Sequence, residues 1–322
     1  MSTITPESGR PEPQDLHARD LHARDLHARD LHARDLQGWV GRSEVAEDEA
    51  AAVLVRRVAA LLDRDPADYG PGAVVPENWH VAFFTPLAVQ SQIGPDGHPR
   101  QGDFLPPVKL PRRMFAGRRL RFLSPIRVGA ALRRTSTVAA ITPKRGRSGE
   151  MVFVRVEHAI AADGTLAVIE EQDIVYREEA SATAGKPAGG DAPPAEEPLP
   201  EPTDRETFAP DPVMLFRYSA ITFNAHRIHY DTPYTRDQEG YPNLVVNGGL
   251  TALKLGELAK RNLPGGRLGR LSLRNMRPFF LGRTAELRSR REPDGRLSLW
   301  AVDDRGRVLV QGEAAAEPGC AE

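Results

Sequence analysis

Two stretches of the chain repeat one another's spacing. Leu120-Arg121-x-x-x-Pro125-x-x-x-Gly129 recurs as Leu273-Arg274-x-x-x-Pro278-x-x-x-Gly282. Three strand-like runs parted by Gly-containing turns follow each copy. In the first they are LRRTSTVAAI, MVFVRVEHAI and LAVIEEQDIVYR; in the second, AELRSRR, LSLWAVD and VLVQGEA. Val152, Val154 and Val156 alternate with polar residues, as a half-buried strand requires. Two meanders in the same order behind the same motif predict an internal duplication. Residues 179–205, with six prolines among small and acidic residues, cannot build a core and read as a semi-extended linker. The expected organisation is a tail over 1–37, a first body over 38–178, the linker, and a second body over 206–318.

The tail is an exact repeat. DLHAR occurs four times in tandem from Asp15 to Arg34 and carries His17, His22, His27 and His32. A period of five fits neither helix nor strand, so the tail is read as disordered low complexity and its histidines are set aside. Lys and Arg number 43 against 44 Asp and Glu, which argues against a dedicated nucleic-acid binder. No apolar run approaches the roughly 18–20 residues of a membrane span, and the first residues lack the apolar core of a secretory signal. The single cysteine, Cys320, excludes an internal disulfide, a zinc ribbon and a CxxC redox pair. These features predict a soluble cytoplasmic protein without nucleic-acid or membrane partners.

Two helices are expected. One starts at Ser43 as N-cap, with Glu44, Glu47, Asp48 and Glu49 in its first turns, and ends before Asp65-Pro66. The other opens at Asn247-Gly248-Gly249, runs through Leu250, Leu253, Leu258 and Ala259, and closes at Asn262-Leu263-Pro264. A helix followed by an antiparallel meander predicts an α+β layer in which a sheet wraps a central helix, with two such units paired within the chain.

Polar chemistry concentrates in Arg217 to Asp231, which holds Asn224, His226, Arg227 and His229. Histidine exchanges protons near neutrality, and an amide positions a water or an imidazole. The Gly-led helix start offers backbone N–H groups to a carbonyl oxygen that gains charge. An acid–base group beside such a site suits chemistry α,β to a carbonyl. Hydrogen-bonded loop histidines and close packing at the glycines explain the same residues equally well. Metal ligation by His226 and His229 lacks an obvious third ligand.

The segment Tyr218-Ser-Ala-x-Thr-Phe-Asn-Ala-His-Arg-Ile-His-Tyr-Asp231 strongly resembles the type 2 3-hydroxyacyl-thioester dehydratases, a MaoC-like branch that includes mesaconyl-C4-CoA (3-methylfumaryl-CoA) hydratases. Trp39-Val40-Gly41-Arg42, Gly94-Pro95-Asp96-Gly97-His98-Pro99, Phe104-Leu105-Pro106-Pro107, Arg112-Arg113-Met114, Gly146-x-Ser148-Gly149 and Asp173-Ile174-Val175-Tyr176-Arg177 resemble the family's N-terminal region. The resemblance spans about residues 36–315 and implies a double hot-dog of two helix-wrapped antiparallel sheets. The generic MaoC-like motif Asp-x-Asn-Pro-x-His puts its histidine on His229 and its aspartate on Asn224, so the carboxylate is absent here. The helix-start His-Gly of the family reads Asn247-Gly248.

The resemblance implies reversible addition of water to an enoyl-CoA thioester, the acyl-CoA being the partner. His229 is expected to move the proton, Asn224 to orient water and Gly248 to polarise the thioester carbonyl. His226, Arg217, Arg227, Asn247 and Asp231 are the expected substrate-binding residues, with Arg217 or Arg227 available for a charged acyl end. No metal and no cofactor is implied beyond the CoA of the substrate, and a homodimer is compatible with this plan. Trp79, His80, Phe83 and Phe84 are expected to line the acyl pocket or pack the core. Arg112, Arg113, Arg118, Arg119 and Arg121 are expected to meet CoA phosphates or solvent. Other readings stay open: a dehydratase of fatty-acid synthesis, a thioesterase, and a non-catalytic acyl-binding subunit.

Overall fold

The computed structural model describes residues 35–100, 104–110, 112–146, 149–178 and 198–316. The DLHAR repeat, most of the Pro-rich segment and Cys320 lie outside the described residues.

Each half runs strand, helix, strand and meander. The first holds β1 (Ser43–Glu49), α1 (Ala52–Leu61), β2 (Arg112–Phe122), β3 (Ala131–Gly146), β4 (Gly149–Ala162) and β5 (Thr165–Arg177). The second holds β6 (Asp204–Phe208), α2 (Pro212–Ile221), α3 (Thr232–Asp237), α4 (Gly248–Asn262), β7 (Arg270–Asn275), β8 (Ala285–Arg291), β9 (Leu297–Asp303) and β10 (Val308–Ala315). Among the described residues ten strands form one sheet in the order β1-β3-β4-β5-β2-β7-β10-β9-β8-β6. Each half therefore has the same strand order, and the halves join antiparallel along β2 and β7. The shift that carries Leu120 onto Leu273 carries Arg119 onto Ser272, and these two residues face each other across the seam. A local two-fold axis passes between them. Matching contacts extend the symmetry: Val75 N–H donates to Ile126 O as Val246 N–H donates to Phe279 O, and Gly129 and Gly282 both take positive φ.

The symmetry breaks at the helix. In the second half α4 lies across β6, β7, β8 and β9, buried nearly all round from Leu250 to Ala259. The corresponding point of the first half, just after Val75, carries only the 3₁₀ turn Trp79–Ala82. The expected α+β double hot-dog stands, and the helix of the first half, α1, packs on α2. The turn packs on α4 instead: Asn78 Nδ2 donates to Ala252 O at 3.1 Å and Trp79 Nε1 to Glu257 at 2.9 Å.

The expected helix start at Ser43 is also corrected. Residues 43–49 form β1, and the helix begins at Ala52. Glu47 stands opposite Arg133, with an ion pair at 3.0 Å, so the acidic run serves a cross-strand role. Strand β6 begins at Asp204, inside the stretch read as linker. Among the described residues no helix is long and apolar enough to cross a membrane.

Candidate active site

The segment from Tyr218 to Asn247 crosses the mouth of α4. Helix α2 buries Leu215, Tyr218 and Ile221 at i, i+3 and i+6 and then stops at Thr222. Phe223 follows at φ +49, a left-handed conformation that costs a bulky residue energy and turns the chain sharply. Asn224 comes next, its Oδ1 accepting from His226 N–H at 3.0 Å. That turn commits the amide oxygen and leaves Nδ2 as the group the side chain can offer.

His229 is buried at 8% exposure. Its Nδ1 lies 2.7 Å from Val245 O. A carbonyl only accepts, so Nδ1 carries the proton and Nε2 presents a lone pair. Burial lowers its pKa to about 4, opposed by the Val245 bond. His226 falls to about 3 through burial first and then the neighbouring His98 and His229. Both imidazoles are neutral at pH 7. Their rings meet edge to face at 5.4 Å.

Asn247 occupies the N-cap of α4, but its side chain makes no cap bond. Its Nδ2 donates to Ser219 Oγ at 3.3 Å instead, and its Oδ1 is buried without a partner. The amides of Gly248 and Gly249 precede the first helical bonds, which Leu250 and Thr251 donate to Asn247 O. Gly249 leaves room for Tyr218, because a Cβ there would lie 2.1 Å from the tyrosine hydroxyl.

The first half contributes residues that sequence reasoning left without a role. Its loop over 94–98 lies against residues 225–227. Arg227 N–H donates to Asp96 O at 2.9 Å, and Arg227 Nη1 to Pro95 O at 3.0 Å. Gly97 permits the approach at φ +89, since a Cβ would fall 1.8 Å from Ala225 O. Asp96 accepts from His98 Nδ1 at 2.9 Å and from His98 N–H at 3.0 Å. The side-chain bond chiefly holds its pKa down at about 2. The His98 ring stacks against His226 with centroids 4.0 Å apart. Asp96, His98 and His226 thus hold ligand-capable atoms within 4.8 Å of one another, and His229, the partner the sequence suggested for His226, is not in that group. The Asp96-Gly97-His98 triplet was visible as a motif; only the fold brings it to His226.

Asn224, His226, Arg227, His229, Asn247 and Gly248 all line one cavity of about 1880 Å³, shared by both halves. Two expected binding residues do not line it. Arg217 is exposed on α2, off the face that buries Leu215, Tyr218 and Ile221. Asp231 caps α3 by accepting from Tyr234 N–H and pairs with Arg227 at 2.7 Å. Arg227 also stacks on Tyr234 at 4.0 Å, so its guanidinium is occupied by the loop. Of the expected aromatic lining, His80, Phe83 and Phe84 border the cavity, while Trp79 is core. Arg112, Arg113, Arg118 and Arg119 border it and Arg121 does not.

Two hot-dog halves in tandem, of which one keeps both the helix and the histidine, follow the plan of the MaoC-like hydratases and dehydratases. The sequence narrows that class. A family model described as hydroxyacyl-thioester dehydratase type 2 matches residues 78–281, and the chain belongs to that family. It is 45% identical over 244 residues to the mesaconyl-C(4)-CoA hydratase of Chloroflexus aurantiacus, a match covering 75% of this chain and 84% of that one. Among solved structures, a MaoC-like dehydratase from Phytophthora capsici shares the fold at a TM-score of 0.62 and 17% identity, over 88% of this chain and 97% of that one. HtdX from Mycobacterium tuberculosis does so at 0.60 and 18%, over 85% and 99%. The protein is a hydro-lyase of the hydratase and dehydratase type.

Proposed function

We propose that the enzyme reversibly hydrates the α,β double bond of a small enoyl-CoA, with mesaconyl-C4-CoA as the best-fitting substrate. The reading rests on a buried, neutral His229 and the unpaired amides of α4 lining one cavity. The identity to the Chloroflexus enzyme supports the acyl group.

In the hydration direction the thioester oxygen accepts hydrogen bonds from Gly248 and its neighbour, which draws electron density away from the β-carbon. Nε2 of His229 takes a proton from a water held by Asn224 Nδ2. The hydroxide oxygen bonds to the β-carbon as the α,β π pair moves to form the enolate. The enolate collapses by taking the proton from the His229 imidazolium at the α-carbon, and the product carries one added water. General acid–base help of this kind contributes about 10²–10⁴-fold, and one oxyanion donor about 10²–10³-fold. Asp96, through His98, holds His226 beside the base. The cavity lining includes Arg112, Arg113 and Arg177, cations suited to the CoA phosphates. The proposal puts the enzyme in the cytoplasm and requires no cofactor beyond substrate CoA.

The test is incubation with mesaconyl-C4-CoA and with crotonyl-CoA, following enoyl-thioester absorbance and product mass. Gain of one water on the first substrate is expected. Release of free CoA, or reaction of crotonyl-CoA alone, would overturn the assignment.

A further inference from the structure

The inner face of the first half carries a polar row where its twin is apolar. Ser136 pairs with His158, His158 with Glu170, and Gln172 with Arg118, while Arg134 lies two residues along from Ser136. In the second half the equivalent positions are Ser289, Leu299, Gly312, Ala314, Leu271 and Leu287. Those leucines are fully buried in the half that α4 covers. Among the described residues the first half has no helix there, and all of its row but Ser136 lines the cavity.

Burying charge is costly unless it is paired. Glu170 is 4% exposed and ionised, held by His80 Nε2 at 3.1 Å and Gln172 Nε2 at 3.0 Å, with Arg118 Nε at 3.5 Å. Arg118, 8% exposed, keeps Nε and Nη1 without a hydrogen-bond partner, and Arg134 Nε is likewise unpartnered. The row holds two guanidinium groups and one carboxylate; Glu44 and Asp48 approach Arg134 only from the exposed strand β1. Tyr218, packed against Gly249, lines the same cavity as this row. This wall of the cavity thus sets two guanidinium groups against one buried carboxylate.

We propose that Arg118, assisted by Arg134, binds a free carboxylate at the distal end of the acyl group, so that the enzyme selects dicarboxylic monothioesters over plain acyl-CoAs. This rests on the reading of the cavity as the acyl site. A long alkyl chain would meet the polar row without pairing it. A carboxylate gains charge-assisted bonds from the part of the guanidinium that borders the cavity.

Binding of two saturated analogues separates this idea from the hydratase assignment, since neither can be hydrated. Succinyl-CoA and butyryl-CoA would be titrated calorimetrically into the full chain. Wild-type protein is expected to bind succinyl-CoA about 10- to 100-fold more tightly. Arg118→Leu leaves Glu170 uncompensated and risks the fold, so the decisive variant is Arg118→Leu/Glu170→Gln, which removes both charges. In it the preference is expected to collapse toward one, with Arg118→Lys recovering part of it. A purely structural role for Arg118 would weaken both ligands equally and keep the ratio. Equal affinities in the wild type, or an unchanged ratio in the double variant, would overturn the proposal even with hydratase activity intact. A high ratio lost in the double variant would support it even if mesaconyl-C4-CoA were not turned over.

Discussion

At the scale of single residues the candidate site holds its histidines neutral. His229 and His226 have folded pKa values of about 4 and about 3, below the ordinary 6.5, because burial disfavours their charged forms. The unfolded chain therefore binds more protons than the folded one between those values and 6.5. Stability is expected to fall as pH drops from 6.5 toward 4. Asp96 adds to this lower down, since its stabilisation is lost as pH falls from 3.8 toward 2. Thermal melts across pH 3.5–7 check the trend, and His226→Gln is expected to flatten it. Gly97→Ala forces a Cβ into Ala225 O from a left-handed backbone. It is expected to lower the melting temperature and cut kcat at least about tenfold by shifting His226, while Gly70→Ala, with open space around it and no left-handed backbone, leaves kcat alone. His229 and Gly248 were legible because both belong to one continuous stretch. Asp96 and His98 were not, because they meet His226 only where the first half lies against the second.

Elements were legible in proportion to how local their signals are. Strands β8 and β9 coincide with AELRSRR and LSLWAVD, since Gly295 and Gly306 turns bound them. β1 was misread as helix because Glu44, Glu47, Asp48 and Glu49 imitate an acidic first turn; only Arg133 opposite reveals a strand. α2 was missed because its Leu215, Tyr218 and Ile221 stripe sits inside the segment read for its polar residues. The N-terminus of α4 makes the sharpest test at this scale. Gly249→Ala places a methyl against the Tyr218 hydroxyl, and a loss of about 10²-fold in kcat is expected if the amides bind the thioester oxygen. Tyr218→Phe removes the obstructing oxygen and is expected to restore part of the lost kcat in the double variant, measured by steady-state kinetics.

For the whole molecule, duplication and its breakdown explain the division of labour. Two copies of one five-strand pattern pair along β2 and β7, and one helix serves both because the first half's turn packs on α4 through Asn78 and Trp79. The missing helix leaves the cavity, and the polar row of β2–β5 lines it. The repeated Leu-Arg-Pro-Gly motif announced the duplication, yet nothing in its spacing said which copy had lost its helix. Because seam and core carry the union, a protease nick within 179–197 is expected to leave the two fragments co-eluting on native size exclusion and separating only in denaturant. Fragments that part without denaturant would mean the covalent link holds them.

The pH dependence of kcat/KM on mesaconyl-C4-CoA, for the wild type beside His229→Ala, tests the catalytic account most directly. A neutral base with pKa near 4 predicts activity flat from neutrality down to about pH 5, an acid limb near pH 4, and a loss of about 10²–10⁴-fold in the variant. An acid limb at pH 6–7, or near-wild-type turnover in His229→Ala, would contradict it.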